Sequence, residues 1–296
     1  MELWAPKYLK NFKCLASDCP HTCCAGWEID VDAVTLERYN ALGGYFTDSL
    51  SEEGSFVLTE GDRCPHLTDK GLCRIISDHG EGYLCDICRE HPRFYTYAPD
   101  RAEMGVGMSC YAAASLILDS EYEVVPVGNR EGECTDGLDT VSLREQIYSI
   151  LGNNGLPYEK RLRDICGAVN IDPLGLGEDF YKDIFDSVEY LYPENAEKFR
   201  VFSPSPDTPE GLQAMLEKAL AYFILRHCTE AVDMDDYRAR LCYCLLCERL
   251  FCSLLKHFPD ADPITLACTV SEELEYSTEN EEFITDAFYS ALTLWQ

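Results

Sequence analysis

The strongest constraint on the fold is the crowding of cysteines near the start of the chain. Nine of the 17 cysteines lie between residues 14 and 110, in sequence that is rich in Gly, Pro and Asp and shows no long helical periodicity. They are Cys14, Cys19, Cys23, Cys24, Cys64, Cys73, Cys85, Cys88 and Cys110. A segment of this kind is expected to be held together by ligands bound to its thiols.

Disulfides are the weaker explanation for these cysteines. Residues 1–13 lack a secretory signal pattern and no segment reaches about 18 uninterrupted apolar residues, so a cytoplasmic protein without a membrane span is expected. Thiols stay reduced in that compartment, and the number of cysteines is odd. Metal binding or catalysis is therefore favoured.

The spacing of the nine cysteines favours an iron-sulfur cluster, with zinc as the alternative. Zinc sites usually combine two Cys-x2-Cys pairs or use histidine, whereas this chain has one such pair, Cys85-x2-Cys88, and the adjacent residues Cys23 and Cys24. His21 and His66 stand beside candidate ligands and could replace a thiolate, although surface or supporting roles are the simpler interpretation. The spacing does not indicate which four thiols bind, or whether there are one or two centres.

The sequence after about residue 136 predicts helices. Ser142 and Glu145 form a capping box, and Thr208 with Pro209 predicts the start of a helix that carries an apolar stripe to Phe223. A second long helix is predicted over Met234–His257 and a third after Pro263. We therefore predict a mainly α fold, with an irregular, cysteine-rich, metal-stapled part (residues 1–135) packed on an all-helical part (residues 136–296).

Further polar and sulfur-containing residues of the helical part are interpreted as structural. Four cysteines of the long helix point in different directions at 100° per residue, so they are expected to be buried hydrophobic residues, like four others elsewhere. These are Cys242, Cys244, Cys247 and Cys252, and Cys134, Cys166, Cys228 and Cys268. The acidic pair Glu272–Glu273 is expected on a solvated face.

The net charge of −29 disfavours one class of partner. Such a field repels phosphate backbones, and no basic stripe with interleaved aromatic residues is present in the sequence. Nucleic acid is therefore disfavoured as a partner on physical grounds, and a protein, a peptide or a cationic group suits the surface better.

Five stretches of the chain carry the nine cysteines in a specific order: CLASDCPHTCCAGWEIDVD, RCPHL, GLC, LCDICREHPRFY and SCYAAASLIL. Together they resemble the flagellin lysine-N-methylase family and the zinc- or iron-chelating cysteine-cluster domain of bacteria, over about residues 5–120. This resemblance implies a cytoplasmic enzyme that transfers a methyl group from S-adenosylmethionine to lysine side chains of flagellin, with a 4Fe-4S cluster held by the cysteines.

The sequence does not assign catalytic or methyl-donor residues. Gly105-Val-Gly107 and Gly175-Leu-Gly177 lack the third glycine of a nucleotide-binding turn. Four aromatic residues near the cysteine motifs are candidates for a reaction channel, although packing is the simpler interpretation: Tyr83, Phe94, Tyr95 and Tyr97. A non-catalytic zinc or iron module, and an iron-sulfur or redox sensor, remain the alternative functions.

Overall fold

A computed structural model of the protein describes residues 1–20, 22–132 and 137–293. Its internal contacts divide the chain into two compact units. The cysteine unit consists of Lys13–Arg93 and Cys110–Ala112, and the sheet-helix unit consists of Met1–Phe12, Phe94–Ser109 and Ala113–Gln296. The boundary predicted between residues 135 and 136 lies outside the described residues and stays a prediction.

The cysteine unit has short helices around a small apolar core. The helices are α1 (Ala33–Leu42), α2 (Tyr45–Asp48), α3 (Arg74–His79) and α4 (Asp86–Glu90). Helix α1 begins after Asp32, whose carboxylate Oδ1 accepts a hydrogen bond from the Thr35 N–H at 2.9 Å. Tyr39, Phe46 and Phe56 stack in the core of this unit, where α1 and α2 meet.

The sheet-helix unit contains a four-stranded sheet that the sequence analysis did not predict. The strands are β1 (Glu2–Pro6), β2 (Arg93–Tyr97), β3 (Ala102–Val106) and β4 (Val124–Asn129), in the order β2-β3-β1-β4. Strand β1 is parallel to β3 and antiparallel to β4. Strands of five or six residues give too short an alternating pattern to stand out in a sequence.

Helices build the rest of this unit, and the prediction of a mainly α fold is confirmed. They are α5 (Tyr111–Asp119), α6 (Thr140–Leu151), α7 (Tyr158–Val169), α8 (Glu178–Ser187), α9 (Pro193–Phe199), α10 (Gln213–His227), α11 (Met234–His257), α12 (Pro263–Leu274) and α13 (Thr278–Thr293). Helix α11 has the predicted bounds. None of the helices in the described ranges is both long enough and apolar enough to cross a membrane.

Two predicted helix starts were wrong. Helix α6 is capped by Asp139, whose Oδ1 accepts from the Ser142 N–H at 3.0 Å, so Ser142 lies inside the helix. Helix α10 begins at Gln213 instead of Pro209. Gly211 has a φ of +80°, a left-handed conformation that cannot continue a right-handed helix, and it therefore delays the start.

The interpretation of the late cysteines as buried hydrophobic residues is confirmed for all that the structure describes. Cys242, Cys244, Cys247 and Cys252 are at most 1% exposed in α11. Cys166, Cys228 and Cys268 are also buried, whereas Cys134 lies outside the described residues. Helix α11 is therefore the central helix of its unit, with thiols among its packing groups.

The sequence analysis placed the acidic pair Glu272–Glu273 on a solvated face, and this prediction was wrong because both residues are buried in α12. Glu273 is 1% exposed, and its carboxylate accepts hydrogen bonds from the N–H groups of Leu191 and Tyr192. The side-chain amide of Asn195 donates a third bond at 2.6 Å. A buried carboxylate needs such donors, and here it satisfies the N–H groups that precede and begin α9.

Gly105 is required because an aromatic ring fills the space beside it. A Cβ atom at this position of β3 would stand 2.2 Å from Cζ of Phe94. We expect Gly105→Ala to lower the free energy of unfolding by about 1–3 kcal/mol, since either strand or ring must move. Urea unfolding of purified protein measures this. The matched control is Gly128→Ala in β4, where no atom lies within 4 Å of the added Cβ; equal losses in the two variants would contradict the explanation.

His227 is predicted to make folding stability depend on pH. It is buried between two carboxylates, with Nε2 2.7 Å from Glu275 Oε1 and Nδ1 2.9 Å from Glu281 Oε1. Burial lowers the pKa of His227, but the two carboxylates raise it by more than burial lowers it, so the pKa in the folded protein is above the usual value. The protonated ring therefore contributes its full stabilisation of the folded protein below the pKa of His in the unfolded chain, about 6.5. This contribution is lost as the pH rises through the higher pKa of His227 in the folded protein.

The measurement is urea unfolding of the wild type and of His227→Gln at several pH values. The stability advantage of the wild type should decrease by about 1 kcal/mol or more as pH rises above about 6.5. An advantage that is the same at acidic and alkaline pH would show that the ring is not held protonated.

Candidate metal centre

All nine cysteines predicted as metal ligands lie in the cysteine unit, although they come from five separate stretches of sequence. Cys85 is buried, Cys14 and Cys23 are exposed, and the others are half-buried. Their interactions divide most of them into two sets. The four-thiol set comprises Cys64, Cys73, Cys85 and Cys88, and the loop set comprises Cys14, Cys23, Cys24 and Cys110.

The four-thiol set is part of the apolar core of its unit. Cys85 belongs to the cluster of buried core residues, and the other three pack against that cluster. The thiols also lie close enough to affect one another's ionisation: Cys64 with Cys73 and Cys85, and Cys88 with Cys85 and Cys64. Four soft ligands are thus collected at one place that the core shields from water.

Backbone hydrogen bonds bring the stretches of this set together. The N–H of Cys64 donates to the carbonyl of Cys24 at 2.8 Å, and the N–H of Leu67 donates back to the carbonyl of Cys64 at 3.0 Å. Leu67 forms an isolated bridge with Cys73, which closes the loop between these cysteines. At the start of α4, the N–H of Asp86 donates to the capping carboxylate of Asp32 at 2.9 Å, which fixes the position of Cys85.

Backbone N–H groups favour the ionised form of three members of this set. Burial raises the pKa of Cys64 and Cys73, while the N–H group of His66 lowers that of Cys64 and the N–H groups of Ile76 and Ile75 lower that of Cys73. The N–H group of Cys88 likewise lowers the pKa of Cys85. Stabilisation of thiolates by nearby N–H groups is among the features that tune a metal centre.

Within Cys85-x2-Cys88 one thiol stabilises the ionised form of the other. The hydrogen bond from the Cys88 thiol lowers the pKa of Cys85 to about 7, and the same bond raises the pKa of Cys88. Burial raises the pKa of Cys64 to about 11. Near neutral pH the first thiolate of the set therefore forms readily, whereas ionising a further thiol beside it is unfavourable. A bound cation would offset the free-energy cost of that further ionisation.

The loop set is centred on the adjacent residues Cys23 and Cys24. A hydrogen bond from Cys23 lowers the pKa of Cys24 to about 7, while that bond, burial and the charges of Cys24, Cys110 and Cys14 raise the pKa of Cys23. Cys24 also acts on Cys64, Cys73 and Cys88, so it lies between the two sets. Cys19 is half-buried in the loop between Cys14 and Cys23.

His66 is a buried neighbour of the four-thiol set. It is 3% exposed, its Nε2 lies 3.1 Å from the Ser49 hydroxyl, and its ring meets Phe56 edge-on at 4.7 Å. Burial lowers its pKa to about 4, so the ring is neutral near pH 7. His21 lies outside the described residues.

The thiols are neighbours without forming a finished coordination site. In the part of the chain that the structure describes, no group of three or more His, Cys, Asp or Glu side chains is arranged to hold a metal ion. Electrostatic coupling between thiols reaches further than a metal-sulfur bond of about 2.3 Å, and the two observations therefore agree.

The aromatic candidates are mostly engaged in packing. Phe94 fills the space beside Gly105 and meets Tyr222 edge-on at 6.3 Å. The guanidinium of Arg130 lies 3.4 Å from the ring centre of Tyr95 and donates from Nε to the Tyr97 hydroxyl at 3.1 Å. Tyr83 packs against the core of the cysteine unit. Sequence proximity to the cysteines therefore did not identify a channel.

Comparison with known proteins finds distant relatives, some named lysine-N-methylase and one named as a flagellar protein. The chain is 24% identical over 127 residues to the "Flagellar biosynthetic protein FliU" of Salmonella muenchen, which covers 38% of this chain and 75% of that protein. Identity and length are the same for the "Lysine-N-methylase" proteins of Salmonella choleraesuis and Salmonella typhimurium, where the match covers 32% of each. No family model and no solved structure matches.

The matched region thus spans about a third of the lysine-N-methylases. The names of these relatives agree with the resemblance found in the cysteine motifs. At this identity and coverage, the metal ligands, the methyl donor and the substrate stay predictions.

Proposed function

We propose that this protein is a protein-lysine N-methyltransferase that acts on flagellin, uses S-adenosylmethionine, and holds a 4Fe-4S cluster on the four-thiol set. The observation that carries the proposal is the gathering of Cys64, Cys73, Cys85 and Cys88 on one apolar core, in a chain similar to proteins named lysine-N-methylase. The loop set is the alternative location of the cluster and, if both are occupied, a second centre.

The residues of the four-thiol set fit such a cluster in number and chemistry. Four thiolates hold a 4Fe-4S cluster, and hydrogen bonds to sulfur and exclusion of water both stabilise and tune it. When bound, the cluster supplies a redox-active and structure-fixing group. The polypeptide supplies backbone N–H groups that favour the thiolate forms of Cys64, Cys73 and Cys85, and the apolar packing around them.

The transfer itself is a displacement that needs no net oxidation or reduction. The lone pair of the lysine Nζ forms a bond to the methyl carbon of the sulfonium, the carbon-sulfur bond breaks, and its electrons stay on sulfur, which leaves as a neutral thioether. Lysine has a pKa of about 10.4 in water, so the amine must lose a proton before it can attack. An acidic protein surface attracts lysine-rich segments to the enzyme.

One specific observation favours a second candidate, a non-catalytic zinc module. The gathering of Cys64, Cys73, Cys85 and Cys88 at one apolar core also suits a structural zinc site with four cysteine ligands. The two candidates predict different metals and different donor binding.

Metal analysis of protein purified without oxygen tests the cluster. We expect about four irons and four acid-labile sulfides per chain, with broad visible absorption. Single Cys→Ser variants of the four-thiol set should lose most of this iron, whereas Cys166→Ala, which removes a buried thiol of α7, should keep it. A colourless protein with one or two zinc ions would favour the zinc module, and iron loss confined to variants of the loop set would place the cluster there.

Methyl transfer is tested by incubating the protein with flagellin and isotopically labelled S-adenosylmethionine. Label should appear on lysine Nζ, located by mass spectrometry, and the initial rate should rise with pH because the neutral amine becomes more abundant as pH approaches its pKa of about 10.4. The control omits flagellin or supplies flagellin whose amines have been acetylated. Absence of labelled lysine with cluster-loaded protein would exclude the proposed activity.

A further inference from the structure

The sheet-helix unit contains a cavity of about 460 Å³ next to the β1–β3–β4 sheet. This volume lies within the range of about 300–1,000 Å³ typical of sites for small molecules. Its floor carries arginines, its wall aromatic rings, and its rim glutamates. All of the residues that line the cavity belong to the sheet-helix unit, and none belongs to the cysteine unit.

The floor carries more positive than negative charge. Glu103 is fully buried and accepts hydrogen bonds from Arg144 at 2.5 and 2.6 Å and from Nε of Arg101 at 2.8 Å. Two guanidinium groups thus share one carboxylate. The carboxylate of Asp139, which caps α6, has its pKa lowered first by the hydrogen bonds from Ser142 and only then by the charge of Arg101, and it is exposed to solvent. A positive charge is therefore left over at the bottom of the cavity.

Arg101 has hydrogen-bonding capacity that the described part of the chain does not use. Its side chain is 9% exposed and lines the cavity. Nε is bonded to Glu103 and the guanidinium lies 4.3 Å from the ring centre of Trp4, but neither Nη atom has a hydrogen-bond partner among the described residues. Two parallel N–H groups on a buried guanidinium fit a carboxylate, which accepts both.

The wall offers flat apolar surfaces. Trp4, Tyr122 and Tyr148 line the cavity, and the two tyrosine rings meet edge-on at 4.9 Å. Their hydroxyls are bonded elsewhere: Tyr148 donates to the carbonyl of Ala221 at 2.6 Å and Tyr122 to Glu217 at 2.9 Å. The rings are thus available for stacking with a planar group and for contact with a cation.

The rim is acidic. Glu121, Glu123 and Glu145 line it and are exposed, and Lys7 neutralises Glu123 at 3.0 Å. Negative charge at the mouth and positive charge at the floor favour a ligand with a carboxylate at one end and a cationic centre further out. A lysine side chain of a protein carries only the ammonium, which the arginines at the floor would repel.

We infer that this cavity binds S-adenosylmethionine, with the carboxylate of its amino-acid end on Arg101, the planar base against the aromatic wall, and the ammonium and sulfonium towards the acidic rim. This inference rests on the proposed methyltransferase function and gives that function a donor site. Sequence reasoning missed Arg101 because the arginine stands in a loop before a short strand and belongs to no motif.

The test compares S-adenosylmethionine with its decarboxylated analogue, which lacks only the carboxylate, by calorimetry on the anaerobically purified full chain. The wild type should bind the complete donor about tenfold or more tightly than the analogue, because the carboxylate forms charged hydrogen bonds. Arg101→Met should bind both ligands with similar, weaker affinity, and Arg101→Lys should keep part of the preference.

The matched control is Arg238→Met, which removes a partly buried arginine that is paired with Asp235 at 2.7 Å in α11. It should leave the preference of the wild type unchanged. Thermal unfolding of each variant verifies folding, and Arg144 still pairs with Glu103 in Arg101→Met.

Two outcomes separate failure of the donor site from failure of the proposed function. If the wild type methylates flagellin but Arg101→Met keeps the full preference for the carboxylate, the donor binds elsewhere and the function stands. If the wild type neither binds S-adenosylmethionine nor labels flagellin, the methyltransferase function is wrong, and the donor assignment falls with it.

Discussion

The sheet-helix unit depends on the buried carboxylate of Glu103. This side chain is fully buried in β3, and Arg144 of α6 and Arg101 bind it, so one charge joins the sheet to the helices. Burial alone would raise the pKa of Glu103, but the two arginines lower it below the usual value. Removing one partner of such a pair commonly costs about 3–5 kcal/mol, because the remaining charge is left uncompensated. Because Glu103 binds two arginines, Arg101 stands at the floor of a cavity with positive charge that Glu103 does not neutralise. An arginine that stabilises the fold is thereby available to bind a ligand.

The helical part was predictable because its signals are long and local. Helix α11 keeps helical character over 24 residues and was predicted with its observed bounds, and burial of its cysteines followed from their divergent directions. The starts of α6 and α10 were not predicted correctly, since Asp139 sets the first through its cap geometry and Gly211 sets the second through its backbone conformation. The pairing of β1 with β3 and the burial of Glu273 depend on partners more than 70 residues away, and no local pattern encodes those partners.

The candidate metal site was predictable by residue type and only partly by arrangement. The order and spacing of nine cysteines in the sequence predicted which thiols are candidate ligands. Their division into a four-thiol set and a loop set depends on which of them pack on the core around Tyr39 and Phe46. Apolar residues far from any motif therefore decide which thiols lie together. This coupling also explains how metal binding can stabilise the unit: the core positions the ligands, and a bound cluster would hold together loops that have few apolar contacts of their own.

Electrostatics impose opposite demands on the proposed reaction. The net charge of −29 attracts a lysine-rich surface, but a negative field also raises the pKa of the approaching amine and keeps it protonated. The sulfonium of the donor is cationic as well, and a protonated lysine beside it would be repelled. Exclusion of water works in the other direction, because burial disfavours the charged form of the amine, and the cationic sulfonium beside it does the same. In the proposed reaction, the acidic rim would thus bring lysine close, while a dry interior beside the sulfonium would favour the neutral, nucleophilic form of the amine.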